Sequence, residues 1–176
     1  MRNPLGYKVL RTYQQGEEIY QLAKAFTASH LHTIKDSRLI GHINDSARSV
    51  PRNISEGYGR GNTKQYYEFL GFSFGSLLEL LEDCLSLEKD IKDGVRIVTD
   101  INGALRELDV LIKLCMGEKT MLKSQMEKME QMVGEQGLIS PQLKVARAMQ
   151  HNHELDMQFS RWVKDLNKQL NPKVDK

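Results

Sequence analysis

The sequence predicts an all-α fold, an up-down four-helix bundle followed by a C-terminal helical extension. Apolar residues recur at three- and four-residue steps through long stretches, the period of a helix with one buried face, and no alternation of period two is sustained. The same stretches are rich in Leu, Glu, Lys, Met, Gln and Ala, whose side chains lose little rotamer freedom in a helix. With 40% apolar and 27% charged residues, 176 residues suffice for one domain with a hydrophobic core plus an appendage, well clear of the disordered regime. The division falls at Glu118: residues 1–118 as the bundle domain, residues 119–176 as the extension.

The first helix is expected from about Leu10 to Ser29, on the recurrence of Ile19, Leu22, Ala23 and Phe26, with Gly16 weakening its first turns. The second carries a single stripe, Leu39, Ile40, Ile43, Ala47, Val50, Ile54 and Tyr58, opposite a face of Asp45, Arg48, Arg52 and Glu56. Pro51 lies inside that stripe and is expected to kink the helix without ending it, because the stripe resumes at Ile54. The run from Gly57 to Gly61 is expected to stop the helix, and Asn62 or Thr63 to cap the next.

The third helix, about Lys64 to Lys92, repeats Tyr66, Leu70, Leu77, Leu80, Cys84, Leu87 and Ile91 on a heptad. A second flank of Tyr67, Phe74, Leu78 and Leu81 widens the stripe beyond one seam and predicts burial against other subunits. Gly71 and Gly75, four apart, permit another helix to approach closely, or simply accommodate Phe72 and Phe74. After a turn at Asp93-Gly94 the fourth stripe runs Ile97, Ile101, Ala104, Leu108, Leu111, Cys115, and continues to Leu122, Met126 and Met129 if Gly117 does not interrupt it. Ser140-Pro141 opens a fifth helix whose stripe includes Phe159 and Trp162. Those two rings, among the methionines of the extension, either dock a partner or fold back on the bundle.

Cys84 and Cys115 sit among leucines, where lone thiols act as small hydrophobes. No run approaches the roughly 20 apolar residues that span a bilayer, and the chain is expected to be cytoplasmic. His30-Leu31-His32 and His151-Asn152-His153 resemble metal tracts, but a two-residue step puts the rings on different sides of a helix, so no metal or other cofactor is expected. The glycines of 57–61 lack the Lys-Ser/Thr of a phosphate-binding loop and follow a helix instead of a strand. No nucleophile, histidine and acid fall into a recognised local signature, and no enzyme or small-molecule substrate is expected.

Charge is unevenly placed. Residues 1–60 hold nine Lys/Arg against five Asp/Glu, while residues 61–117 hold six against ten. Such polarity steers an anionic partner to one surface or lets basic and acidic faces of neighbouring subunits meet. Arg48, Arg52, Arg60 and Lys64 gather around Pro51 and the following loop and are the candidate phosphate contacts. The bland alternative is local pairing, Arg52 with Glu56 and Arg48 with Asp45.

The stretch Ser49-Val50-Pro51-Arg52-Asn53-Ile54-Ser55-Glu56-Gly57, followed by Arg60 and then by Gly75-Ser76 and Glu79, resembles the small bacterial four-helix-bundle family encoded in ribosomal-RNA intervening sequences. It is similar also to the accessory variability determinants that accompany reverse transcriptases in diversity-generating retroelements. The resemblance covers roughly residues 5 to 117. It implies a protomer assembling into a barrel-like homopentamer, without catalysis, that binds RNA or DNA or a reverse transcriptase. Carried over by position, Asn53, Glu56, Gly57 and Arg60 match the second-helix signature, and Gly75, Ser76 and Glu79 the third-helix one. Phe74 stands where the family often has alanine, and a typical member ends near Glu118. The function expected is that of a nucleic-acid-binding scaffold, accessory to a reverse transcriptase. The alternative is an adaptor that recruits a protein through its C-terminal helix, its basic face serving subunit contacts.

Overall fold

The computed structural model describes residues 5–60 and 63–134, the side chains of 132–134 excepted; the expected fifth helix with Phe159 and Trp162 lies outside the described residues. Four helices make the fold, and no strand occurs among the described residues: α1 (Arg11–His30), α2 (Ser37–Gly59), α3 (Thr63–Lys92) and α4 (Ile101–Gly134). Short 3₁₀ turns at Gly6–Val9 and Ile34–Asp36 precede α1 and α2.

Side-chain pairs between helices fix an antiparallel order. Thr27 near the end of α1 donates to Asn44 near the start of α2 at 3.2 Å, and Ser73 of α3 donates to the Val50 carbonyl of α2 at 2.8 Å. Gln15 of α1 donates to the Leu114 carbonyl of α4 at 2.9 Å, while Thr12 donates to Gln125 at 2.9 Å. Gln125 in turn donates to the Tyr66 hydroxyl of α3 at 2.7 Å. One apolar core runs through the bundle, with Phe26, Ile43, Ile54, Leu70, Leu77, Leu108 and Leu122 among its fully enclosed side chains. Cys84 and Cys115 are part of it, both as free thiols. Among the described residues no helix is long and apolar enough to cross a membrane.

Two glycines set how closely α2 meets its neighbours. A Cβ on Gly16 of α1 would stand 3.3 Å from Val50 and 3.4 Å from Pro51, so the glycine that weakens α1 in sequence lets it lie against the proline. Pro51 stays inside α2 and is buried; without an N–H it leaves the Ala47 carbonyl lacking its helical donor. A Cβ on Gly57 would be 2.5 Å from Cβ of Phe69 and 3.0 Å from the Tyr66 ring. The glycine run does end α2, at Gly59, while Gly57 itself is still helical and lets α2 and α3 approach closely. The only left-handed glycine among the described residues is Gly94 (φ 70°), in the turn that closes α3.

The start of α4 also departs from expectation. Ile97 lies before the helix with 91% of its surface exposed, and Ile101 is half exposed. Asp100 is the reason: its side chain accepts the Gly103 N–H at 2.9 Å, capping the helix one residue before Ile101. Farther along, α4 runs unbroken through Gly117 to Gly134, so the 118/119 boundary falls inside a continuous helix. The surplus flank of α3 is covered more than expected: Leu81 is buried, while Tyr67, Phe74 and Leu78 are half-buried. The apolar side chains of α3 left in the open are Phe72, 60% exposed, and Leu85.

The two loops at one end of the bundle are joined by Arg96 and Asp36, which form a short ion pair in a largely buried setting. Thr33 adds its hydroxyl and its backbone N–H to the same carboxylate at 2.7 and 3.1 Å. Burial pushes the Asp36 carboxyl up, but the Thr33 donors and the Arg96 guanidinium outweigh it and hold the group below its ordinary value of 3.8. A depressed carboxyl contributes stability above its unfolded pKa and loses it as pH falls through the folded value. Arg96→Gln is therefore expected to cost about 2 kcal/mol at pH 7, less at pH 3, read by urea unfolding at the two pH values; equal losses at both would show that the pair is not what the arginine contributes.

Candidate nucleic-acid interface

The helical phase of α2 buries Ile43, Ala47, Val50 and Ile54 and turns Arg38, Asp45, Arg48 and Arg52 outward. Arg48 and Arg52 stand one turn apart, both exposed, and neither forms an ion pair among the described residues. The expected local partners are otherwise engaged or absent: Glu56 binds Arg60 at 2.6 Å instead of Arg52, and Asp45 makes no ion pair with Arg48. Arg60, at the end of α2, also lies over the Phe69 ring, 5.3 Å from its centroid, and Phe69 meets Phe72 edge-on at 5.5 Å. Its charge is thus partly spent within the protomer. Lys64 is exposed in the first turn of α3.

The signature residues separate into three jobs. Gly57 is the tight crossing already described. Glu56 is exposed and holds Arg60; Asn53 beside it is half-buried. Ser76 and Glu79 line a shallow polar groove of about 380 Å³ between α2 and α3, with Arg38, His42, Asp45, Ser46 and Ser49 on the opposite side. Within it Ser46 donates to Glu79 at 3.5 Å, and Nδ1 of His42 lies 2.6 Å from the Asp83 carboxylate. That hydrogen bond, and then the charge of Asp83, raise the His42 pKa above its ordinary value. Gly75 is exposed, and a Cβ on it or on Gly71 would meet nothing within 4 Å, so none of the four described helices uses the notch they form.

Burial, and then Glu118 beside it, push the Cys115 thiol up to about 12, and burial pushes Cys84 higher still, so both stay protonated. Among the described residues no group of three or more His, Cys, Asp or Glu is arranged to hold a metal. His30 contacts Glu107 at 3.3 Å and packs against Phe26, while His32 bonds the Ser29 carbonyl at 2.8 Å, so the two rings point to different partners.

Residues 8–92 match the family model of the 23S rRNA-intervening sequence protein. The match takes in α1, α2 and α3 and ends on the last residue of α3, so α4 lies beyond it. Every signature residue from Asn53 to Glu79 falls inside the matched stretch, as do Arg48, Arg52, Arg60 and Lys64. No curated protein matches the chain.

Sequence reasoning missed three charged features: the Asp36–Arg96 pair, the His42–Asp83 pair and Glu118, which is fully buried in α4. The first two join residues dozens of positions apart and leave no local signal. Glu118 was findable, because Leu111, Cys115, Glu118 and Leu122 fall on three- and four-residue steps that put it in the seam.

Proposed function

We propose that the chain is a non-enzymatic, homo-oligomeric scaffold that holds RNA or DNA by its phosphates, accessory to a reverse transcriptase of the retroelement kind. The observation that carries the reading is the pair Arg48 and Arg52, exposed one turn apart without a counter-charge bound to either among the described residues. Guanidinium groups so placed bind phosphate bidentately and read no sequence. The match to a family named for an rRNA intervening sequence supports a nucleic-acid partner, and the signature around Pro51 supports the accessory role. Assembly is supported by α3, which leaves Phe72 exposed next to the open notch of Gly71 and Gly75, and Leu85 exposed farther along the helix. Glu68, Glu79 and Glu82 are exposed along the same helix, opposite in sign to the outer face of α2.

Fluorescence anisotropy with single-stranded RNA and DNA over a salt series tests the reading. Affinity falls with salt, and Arg48→Gln with Arg52→Gln lowers it about tenfold at low salt and reduces the salt slope by about 1 to 2. Binding that ignores salt, or that survives the double substitution unchanged, would overturn it. The same variant retains the wild-type assembly mass; if that mass falls instead, the arginines serve subunit contacts and the adaptor reading stands.

A further inference from the structure

Glu118 is the most anomalous side chain in the bundle. It has no exposed surface, and neither carboxyl oxygen has a hydrogen-bond partner among the described residues. It occupies the α4 seam between Cys115 and Leu122, both buried. On either side of it α4 is tied to α1, by Gln15 to the Leu114 carbonyl and by Thr12 to Gln125, and beyond these Gln125 and Glu130 are tied to Tyr66 and Tyr67 of α3.

A carboxylate in that position has neither a counter-charge nor a donor, so the closed packing accepts the group only as the neutral acid. The titratable groups around it do not change this. On α4 the neighbour is Cys115, whose thiol stays protonated, and across from that on α3 is Cys84, protonated as well. From α1 the nearby ties are the uncharged Thr12 and Gln15; Arg11 and Glu18 are exposed and Glu17 is half-buried. The facing part of α2, Val50 and Pro51 against Gly16, is uncharged, and its Arg48 and Arg52 point to solvent. From α3, Tyr66 and Tyr67 are engaged with Gln125 and Glu130. Burial alone accordingly raises the Glu118 pKa, from 4.5 to about 8.

We propose that the α4 segment from Cys115 to Glu130 is a proton-dependent latch, closed on α1 and α3 while Glu118 carries its proton and loosened when it gives the proton up to solvent. The loosened segment hydrates the carboxylate and uncovers Leu122, Met129 and the Cys115 thiol. No oxidant, metal or ligand is needed, since the only exchange is one proton with water. The sign follows from the folded pKa lying above the open one: opening is unaffected below about pH 4.5, grows as pH rises, and levels off above about pH 8.

Alkylation of Cys115 in a Cys84→Ala background reads the opening directly. The rate is divided by that of the same protein carrying Glu118→Gln, which cancels the ordinary ionisation of the thiol. The ratio is expected to rise at least tenfold between pH 6 and pH 8 and then flatten, with a urea dependence well below that of global unfolding. A ratio that stays level from pH 6 to pH 9 would overturn the latch, and so would a rise that carries the full urea dependence of global unfolding. If Glu118→Gln does not fold, Glu118→Leu replaces it as the reference, with the same expected and contrary outcomes.

Discussion

Gly57→Val is expected to cost the bundle at least about 3 kcal/mol, enough to broaden or abolish its cooperative melting. The collision is between main-chain-proximal atoms: a Cβ at 57 would sit 2.5 Å from Cβ of Phe69, and no rotamer change of Phe69 relieves it. Either α2 and α3 separate along the crossing or one helix bends, and both leave voids around Tyr66 and Ile54. Gly59→Ala is the matched control. It too replaces a helical glycine of α2, but a Cβ there meets nothing within 4 Å, so the alanine is expected to stabilise by up to about 1 kcal/mol. Equal effects at the two positions in thermal unfolding would contradict the tight crossing.

Glu118→Leu is expected to act in the opposite direction. Leucine is close in volume and brings no polar atoms into a seam that offers them no partner. The folded carboxyl titrates near 8 and the unfolded one near 4.5, so the native state holds a proton that the unfolded state gives up over the interval between. Wild-type stability therefore declines as pH rises from about 5 to 8, and above that the unpaired acid costs roughly 3–5 kcal/mol. The gain from leucine should be small at pH 5 and reach that range at pH 9 in urea titrations. A gain independent of pH, or a loss at both values, would show that the carboxyl is satisfied in a way its buried oxygens do not reveal.

These two residues also show how far the sequence could be read. Period and turn chemistry were enough for the helices: the α3 heptad is buried throughout, the α2 stripe is buried from Ile43 to Ile54 with Leu39, Ile40 and Tyr58 half-buried at its ends, and Asp93-Gly94 makes the left-handed turn its chemistry favours. Glycine was harder, because the same residue serves as helix stop, close contact or open notch, and only the neighbouring chain decides. Gly16 and Gly57 proved to be contacts and Gly75 a notch. At the start of α4 the apolar period alone included Ile97, whereas the competing Asp100 cap set the boundary. The candidate interface was legible as a group of cations. Its internal differences were not: Arg60 is engaged with Glu56 and Phe69, while Arg48 and Arg52 pair with no carboxylate among the described residues, because which carboxylate reaches which guanidinium depends on side-chain geometry. Ser76 and Glu79 belong to a mixed-charge groove with Arg38, His42 and Asp45, a juxtaposition of two helices that linear spacing does not contain.

The assembly part of the scaffold reading rests on the exposed face of α3 meeting another copy. Sedimentation equilibrium over a wide concentration range, on the wild type and on Gly75→Leu, measures this directly. Leucine at 75 finds open space in the protomer, so the variant should fold, while the notch offered to a second copy is filled. The account predicts a wild-type mass several times 20.2 kDa that falls toward the protomer mass in the variant; a wild type that stays at 20.2 kDa at every concentration would contradict it.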